Sequence, residues 1–247
     1  MHAEKMREHL IDALRGAAVG SMVLFHFCYD VFVILGRDPD WYGRRATVLW
    51  QQSICWCFIL ISGYVWRWGR EKALCRGLLL NGFGLLISLV TYLALPEEAV
   101  WFGILSFLGC ACLLLIPLDR LLERVSPVSG LAVSGLLFLL LRPLADGWIG
   151  FGSLRLSVPA ALYAVKLLTP LGLPYPGFRS GDYFPLLPWF CLYLGGYFLY
   201  PLLRRSPRWR RLAGMKPEPL CWIGRKSLWI YLLHQPLCLA LARLLFG

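Results

Sequence analysis

The chain has 247 residues, of which 58% are hydrophobic and only 16% are charged. Soluble domains average about 25% charged residues, so the composition excludes an ordinary soluble domain. It predicts an all-α, polytopic membrane bundle of about seven or eight helices. The net charge of +11 suits contact with anionic lipid headgroups, so we expect membrane lipids as partners and no nucleic acid.

Seven apolar stretches are long enough to cross a hydrocarbon core of about 30 Å. They cover residues 16–35, 48–66, 74–95, 100–117, 128–145, 183–202 and 222–246. The proline-interrupted stretch 154–174 is predicted to be a re-entrant or interfacial helix, or an eighth short span. We expect a single membrane domain over residues 1–247, without a cleavable signal peptide.

The distribution of Lys and Arg predicts the orientation, because cytoplasmic loops of membrane proteins are enriched in both. With a cytoplasmic N-terminus, Lys5, Arg7 and most other cations fall on the inner side. The longest external segment is then 146–182. The basic segment 203–218 lies on the cytoplasmic side and is predicted to lie along the inner leaflet.

The nine cysteines lie mostly within or at the edges of the predicted spans. Cys55 and Cys57 are two residues apart, as are Cys110 and Cys112, so each pair points to different faces of a helix. No metal-ligand spacing emerges. We therefore expect the cysteines to pack as small apolar side chains, and we expect no metal.

His26 and Asp30 lie inside the first apolar stretch, where titratable side chains are costly and commonly functional. His26 follows Arg15 by eleven residues, about 16 Å along a helix. Because they are four residues apart, His26 and Asp30 share a helix face and are predicted to hydrogen-bond. A carboxylate beside an imidazole orients it as a general base. The alternative is that His26 is a polar contact between helices.

His234 lies inside the last apolar stretch, nine residues after Arg225, or about 13 to 14 Å along a helix. The first and last spans run in the same direction, so we expect the two histidines to meet at a similar depth. His234 or a nearby donor would then stabilise an oxyanion. Pro236 frees a backbone carbonyl that Gln235 or water could use. A packed helix histidine is the alternative.

Asp182, Tyr183 and Trp189 come at the predicted external start of the sixth span. Asp182 either caps that helix or faces an external acceptor, and the two aromatic residues are otherwise interfacial. Together with Gln235 they are the predicted substrate-binding residues. The Ser62-Gly63 pair is expected to allow close helix packing.

Cations at the predicted cytoplasmic edge are candidates for binding the phosphates of a cytoplasmic ligand. The predicted cofactor-binding residues are Arg15, Arg225, Lys226 and Ser227; Arg67 and Arg70 lie at the same edge. For each of them the alternative is a topology signal with lipid contact.

Several motifs together resemble one known family. They are Asp12-x-x-Arg15-Gly16, Phe25-His26-Phe27-x-Tyr29-Asp30, Ile61-Ser62-Gly63, Phe102-Gly103-Ile104-Leu105, the run from Asp182 to Trp189, and Gly224-Arg225-x-Ser227 continuing to His234-Gln235-Pro236. The whole chain resembles the small bacterial members of the heparan-α-glucosaminide N-acetyltransferase-like family, within the wider membrane acyltransferases.

The resemblance implies a bacterial inner-membrane enzyme that moves an acetyl group from acetyl-CoA to an amine or hydroxyl of a sugar or glycan. It places the central roles on Arg15 and His26, with Asp30 and His234 as the other catalytic candidates. A homodimer is possible. The alternatives are a proton-coupled transporter or flippase of a lipid-linked sugar, using the same histidine and aspartate as a proton relay, and a structural subunit without chemistry.

Overall fold

The computed structural model describes residues 8–247, so Lys5 and Arg7 lie outside the described part of the chain. Within that part, seven helical segments are long and apolar enough to cross a membrane, which confirms the predicted all-α membrane bundle. They are His9–Ile34, Arg45–Trp66, Arg70–Ala94, Ile104–Leu122, Pro127–Asp146, Leu186–Arg205 and Ser227–Phe246.

Ten α-helices and one small hairpin form the main elements of the described residues. In chain order they are α1 (His9–Tyr29), α2 (Arg45–Trp66), α3 (Ala73–Ala94), α4 (Ile104–Leu122), α5 (Pro127–Leu141), β1 (Trp148–Phe151), β2 (Leu154–Ser157), α6 (Ala160–Tyr163), α7 (Leu186–Arg205), α8 (Pro207–Ala213), α9 (Glu218–Arg225) and α10 (Ser227–Phe246).

Several predicted boundaries were wrong. The first helix begins at His9 instead of residue 16, because Asp12 and Arg15 pair with each other one turn apart and so extend the helix beyond its apolar part. The stretch 222–246 contains parts of two helices, since α9 ends at Arg225 and α10 starts at Ser227.

The stretch 154–174 is not a membrane-spanning helix. Residues Trp148–Phe151 and Leu154–Ser157 pair as an antiparallel hairpin. The four-residue helix α6 and the 3-10 helix Lys166–Leu171 follow, and Pro170 lies inside the latter. The prolines keep each piece short because proline cannot donate the backbone hydrogen bond that a longer helix needs.

Backbone contacts divide the chain into two compact units. Unit 1 comprises residues up to Ile61 and Leu203–Gly247, and unit 2 comprises Ser62–Leu202. In unit 1, α1 packs against α9 through glycines: a Cβ on Gly16 would overlap the backbone of Leu220, and one on Gly224 would overlap that of Asp12. Small residues of this kind let membrane helices approach to backbone contact.

An apolar cluster in unit 1 surrounds the middle of α1. Met22, Phe25 and Ile54 form its buried centre, and Trp41 and Trp50 pack against them. The rings of Phe25 and Trp50 meet edge to face at 5.2 Å. The indole N–H of Trp50 donates to a serine hydroxyl on α1 at 2.7 Å, so the polar atom of this large side chain is satisfied.

Unit 2 uses the same close packing. A Cβ on Gly63 would overlap the backbone of Tyr193, which confirms the close contact predicted for the Ser62-Gly63 pair. Unit 2 also buries Asp119, whose Oδ1 accepts a hydrogen bond from Tyr197 Oη at 2.7 Å. Its other oxygen, Oδ2, lies 3.0 Å from Arg70 Nε in an ion pair.

Candidate active site

Asp30 lies where α1 changes its winding. The helix continues without a break into a π-helical turn, Asp30–Ile34, and the N–H of Leu35 bonds to the carbonyl of Asp30 at 2.9 Å. Single π turns occur frequently at functional sites. Asp30 is 0% exposed, so its carboxylate depends on protein partners.

The two histidines meet, as the sequence predicted. The ring centroids of His26 on α1 and His234 on α10 are 4.6 Å apart, and the ring planes are inclined at 69°. His234 is 8% exposed. Its Nδ1 lies 2.6 Å from the carbonyl oxygen of Tyr231. Because a carbonyl only accepts hydrogen bonds, Nδ1 carries the proton, and Nε2 of the neutral ring has a lone pair.

This tautomer bears on the predicted oxyanion role of His234. A neutral His234 with its proton on Nδ1 has no N–H on Nε2 to offer an oxyanion. Its free atom is an acceptor, so it suits an N–H or O–H donor instead.

The predicted hydrogen bond between His26 and Asp30 is also absent. The backbone N–H of Asp30 bonds to the carbonyl of His26, but no hydrogen bond joins the two side chains, both of which are described. Instead, Asp30 Oδ1 accepts a bond from Gln235 Nε2 at 3.0 Å, and the Gln235 side chain also interacts with His26. Gln235 on α10 therefore joins His26, Asp30 and His234 in the site, whereas the sequence predicted it as a substrate-binding residue.

Three buried polar atoms of this site have no hydrogen-bond partner among the described residues. They are Asp30 Oδ2, Gln235 Oε1 and His234 Nε2. Each of them is an acceptor when Asp30 is ionised and His234 is neutral. An unpartnered buried polar atom costs about 1–3 kcal/mol, so a cluster of three acceptors favours an occupant that donates hydrogen bonds.

The sequence analysis missed one charged group near the site. Arg243, two turns beyond Gln235 on α10, interacts electrostatically with Asp30. Its spacing of eight residues from Gln235 follows the helical repeat and places both side chains on one side of the helix. This spacing could have pointed to Arg243 in the sequence.

A family model matches residues 7–236, nearly the whole chain, and its description is "Heparan-alpha-glucosaminide N-acetyltransferase, catalytic". The chain belongs to this membrane acetyltransferase family. No curated protein and no solved structure matches the chain. The family match confirms the resemblance found in the motifs and assigns an acetyltransferase domain to the helices that carry the histidine pair.

The cations predicted to bind the donor of this acetyltransferase differ in their surroundings. Arg15 lies 3.3 Å from an aspartate one turn away on α1. Arg225 is 3.8 Å from Glu218, a loose and partly exposed pair of little energetic value. Lys226 is exposed and pairs with no acid in residues 8–247. With Ser227 it stands at the N-terminus of α10, where helix dipoles favour anions.

Arg67 and Arg70 lie in unit 2, where carboxylates already compensate their charge. Arg70 pairs with Asp119 and, at 2.9 Å, with Glu123. Arg67 lies 3.3 Å from the same Glu123 oxygen, and its guanidinium stacks over the Tyr197 ring at 4.8 Å. Both arginines therefore have carboxylate partners within unit 2.

Asp182 in unit 2 is a cap, but for a helix other than the predicted one. Its Oδ2 accepts a hydrogen bond from the backbone N–H of Ile104 at 3.0 Å, at the first turn of α4. Burial raises the pKa of Asp182 to about 6, and the bond from Ile104 opposes this rise. The capping bond engages one of the two carboxylate oxygens.

Trp189 belongs to the buried core of unit 2. It is 8% exposed, and its ring packs against those of Phe184 and Phe138. The predicted substrate-binding role of Trp189 stays a prediction, since its indole packs against other aromatic side chains.

Tyr183 is placed differently from Trp189. It donates its hydroxyl to the carbonyl of Thr169 at 2.5 Å. It also lines an open cleft of about 440 Å³ in unit 2, together with Glu97, Glu98, Phe178 and Arg179. Of the three residues predicted at the start of the sixth span, Tyr183 alone borders this open space.

Proposed function

We propose that the chain transfers an acetyl group from acetyl-CoA to an amine or hydroxyl of a sugar or glycan. The supporting observation is the histidine pair, with ring centroids 4.6 Å apart, in a chain of an acetyltransferase family. A thioester is an activated acyl donor, so positioning and one general base suffice in principle.

In this proposal His26 is the general base. Its lone pair removes the proton from the acceptor's amine or hydroxyl as that group attacks the thioester carbonyl. The tetrahedral intermediate then expels the thiolate of coenzyme A, which regains the proton from His26. His234 Nε2, a buried acceptor without a partner among the described residues, holds a second N–H of the amine.

We assign the donor phosphates to Arg15, Arg225, Lys226 and Ser227 on the proposed cytoplasmic side. The support is the N-terminus of α10, where Arg225 and Lys226 add to the helix dipole; Arg15 lies on α1, whose backbone contacts Gly224 just before these residues. The N-terminus of the chain is proposed to lie in the cytoplasm of a bacterial cell.

On the proposed external side, Tyr183 and the cleft that it lines are the acceptor-binding candidates. The cleft carries aromatic and acidic side chains, among them Phe178 and Glu97. Aromatic faces and a few placed polar groups together suit a sugar ring with polar substituents.

The test uses purified protein in detergent with isotopically labelled acetyl-CoA and a panel of amino sugars and neutral sugars. Mass spectrometry detects the acetylated product directly, which avoids the thiol background of the nine cysteines. We expect product with the wild type, none with His26→Gln, and near-normal product with the matched variant His9→Gln on the same helix.

Equal product from wild type and His26→Gln would contradict the proposed base. If no sugar in the panel is acetylated and vesicles containing the protein move a lipid-linked sugar, the transport alternative replaces the enzyme.

A further inference from the structure

The amide of Gln235 has a fixed orientation. Its Nε2 donates to Asp30 Oδ1 at 3.0 Å, and an ionised carboxylate can only accept. The donor edge of the amide is therefore turned to Asp30. The acceptor edge, Oε1, is left without a partner among the described residues although it is buried.

His26 is the available donor for that acceptor. It lies one turn before Asp30 on the same helix, and its ring interacts with the Gln235 side chain. His234 directly precedes Gln235 and touches the His26 ring, so both helices hold the amide beside the imidazole. A hydrogen bond from the His26 ring to Oε1 would remove the cost of an unpartnered carbonyl.

We propose that Gln235 is a positioning residue that links Asp30 to His26 and thereby fixes the tautomer of His26. Asp30 turns the amide so that Oε1 faces the imidazole. The ring nitrogen facing Oε1 then carries the proton, and the other nitrogen keeps the lone pair. This inference rests on the proposed function, because the lone pair that remains is the one assigned as general base.

An amide has a property that a carboxylate in the same place lacks. It transmits a donor–acceptor direction without placing a negative charge against the imidazole. Replacing the carboxylate at position 30, which only accepts, by an amide that also donates should therefore let the Gln235 amide reverse and change the tautomer of His26. A purely structural role for Gln235 predicts no such reversal.

The first experiment uses Asp30→Asn. Unlike a carboxylate, the asparagine amide can donate to Oε1 as well as accept from Nε2, so Gln235 is released to turn over and present its N–H groups to His26. His26 must then accept, and its lone pair is no longer available as base. We expect the ¹⁵N chemical shifts of His26 to change from one neutral tautomer to the other, and kcat to fall about 100-fold with KM nearly unchanged. The chain has four histidines, so labelled spectra stay simple, and His26→Gln assigns the signal.

The second experiment combines Asp30→Asn with Gln235→Glu, which again makes His26 the donor to residue 235. The new carboxylate at position 235 accepts from the asparagine through one oxygen and from His26 through the other. We expect the original His26 tautomer to return and kcat to recover by about tenfold or more. Gln51→Glu, which alters a glutamine bonded to Tyr42 in the same unit, is the matched control and should leave both readouts unchanged.

The link is wrong if Asp30→Asn leaves the His26 shifts unchanged, or if the double variant recovers neither tautomer nor rate. The spectra do not depend on catalysis. A reversed and rescued tautomer without any acetylated product would contradict the proposed function and leave the link standing. Acetylated product with an unchanged tautomer would contradict the link and leave the proposed function standing.

Discussion

Both units of this protein bury a carboxylate inside a membrane-spanning segment, and the two are treated differently. In unit 2, Asp119 is 2% exposed. Its Oδ1 accepts a hydrogen bond from Tyr197 Oη, and its Oδ2 lies 3.0 Å from Arg70 Nε. The geometry of this second contact is that of an ion pair and not of a hydrogen bond, but the counter-ion still compensates the charge.

In unit 1, Asp30 is 0% exposed, and its Oδ1 accepts from Gln235. Its Oδ2 has neither a hydrogen bond nor an ion pair among the described residues. Since unpartnered buried atoms are costly, a site retains them where a bound ligand supplies the missing hydrogen bonds. The comparison supports the proposal that the network around Asp119 is structural and that the one around Asp30 is reactive.

The largest expected effect is the loss of transfer in His26→Ala. General-base catalysis contributes about 10²–10⁴-fold to rates, so we expect acetyl transfer to fall by that factor. The fold should be retained, because α1 packs through Gly16 and through the apolar cluster around Phe25. Product formation and thermal unfolding measured on one preparation check both statements. A large fall in unfolding temperature would place His26 among the structural residues.

The packing of unit 1 should be more sensitive at Gly224 than at Gly20. A methyl group on Gly224 overlaps the backbone carbonyl of Asp12 on α1, whereas one on Gly20 meets nothing within 4 Å. We expect Gly224→Ala to cost about 3 kcal/mol and Gly20→Ala to be neutral or stabilising. Urea or thermal unfolding of the two variants gives the difference, and equal stabilities would refute the close contact of α1 with α9.

Asp119→Ala should destabilise unit 2 by about 2–3 kcal/mol, because Tyr197 loses its buried acceptor and Arg70 loses a buried counter-ion. Glu123→Ala is the matched variant, since the Glu123 side chain is 39% exposed and exposed pairs contribute little. Unfolding midpoints rank the two. A smaller loss for Asp119→Ala than for Glu123→Ala would overturn the structural assignment.

Asp182 gives the smallest effect and a pH dependence. Burial raises its pKa from 3.8 to about 6, so the folded state holds the proton more tightly than the unfolded state. The stabilisation that this proton gives the folded state is fully present below about pH 4 and is lost as the pH rises through about 6. Relative to Asp182→Asn, we expect the free energy of unfolding of wild type to fall by about 1–2 kcal/mol between about pH 4 and neutral pH. Parallel pH profiles of unfolding for the two proteins would contradict this.

Much of the fold follows from hydropathy, and the meeting of the histidines follows from their spacing along two helices of the same direction. The partners of these side chains do not follow. Whether Asp30 bonds His26 or Gln235 depends on a π turn and on the rotation of α10, neither of which leaves a periodic pattern. Asp119 could have been noticed as an acid within an apolar stretch, whereas its bond to Tyr197 joins residues 78 apart in the sequence.

The most direct test of the comparison measures transfer and stability on Asp30→Asn and Asp119→Asn side by side. We predict that one variant mainly loses transfer and that the other mainly loses stability. Asp30→Asn loses about 100-fold in acetyl transfer with an unfolding midpoint close to wild type, and Asp119→Asn unfolds more easily while its folded fraction keeps its transfer rate. If Asp30→Asn loses transfer only in proportion to lost folded protein, or keeps full transfer, the Asp30 carboxylate is not part of the reactive site.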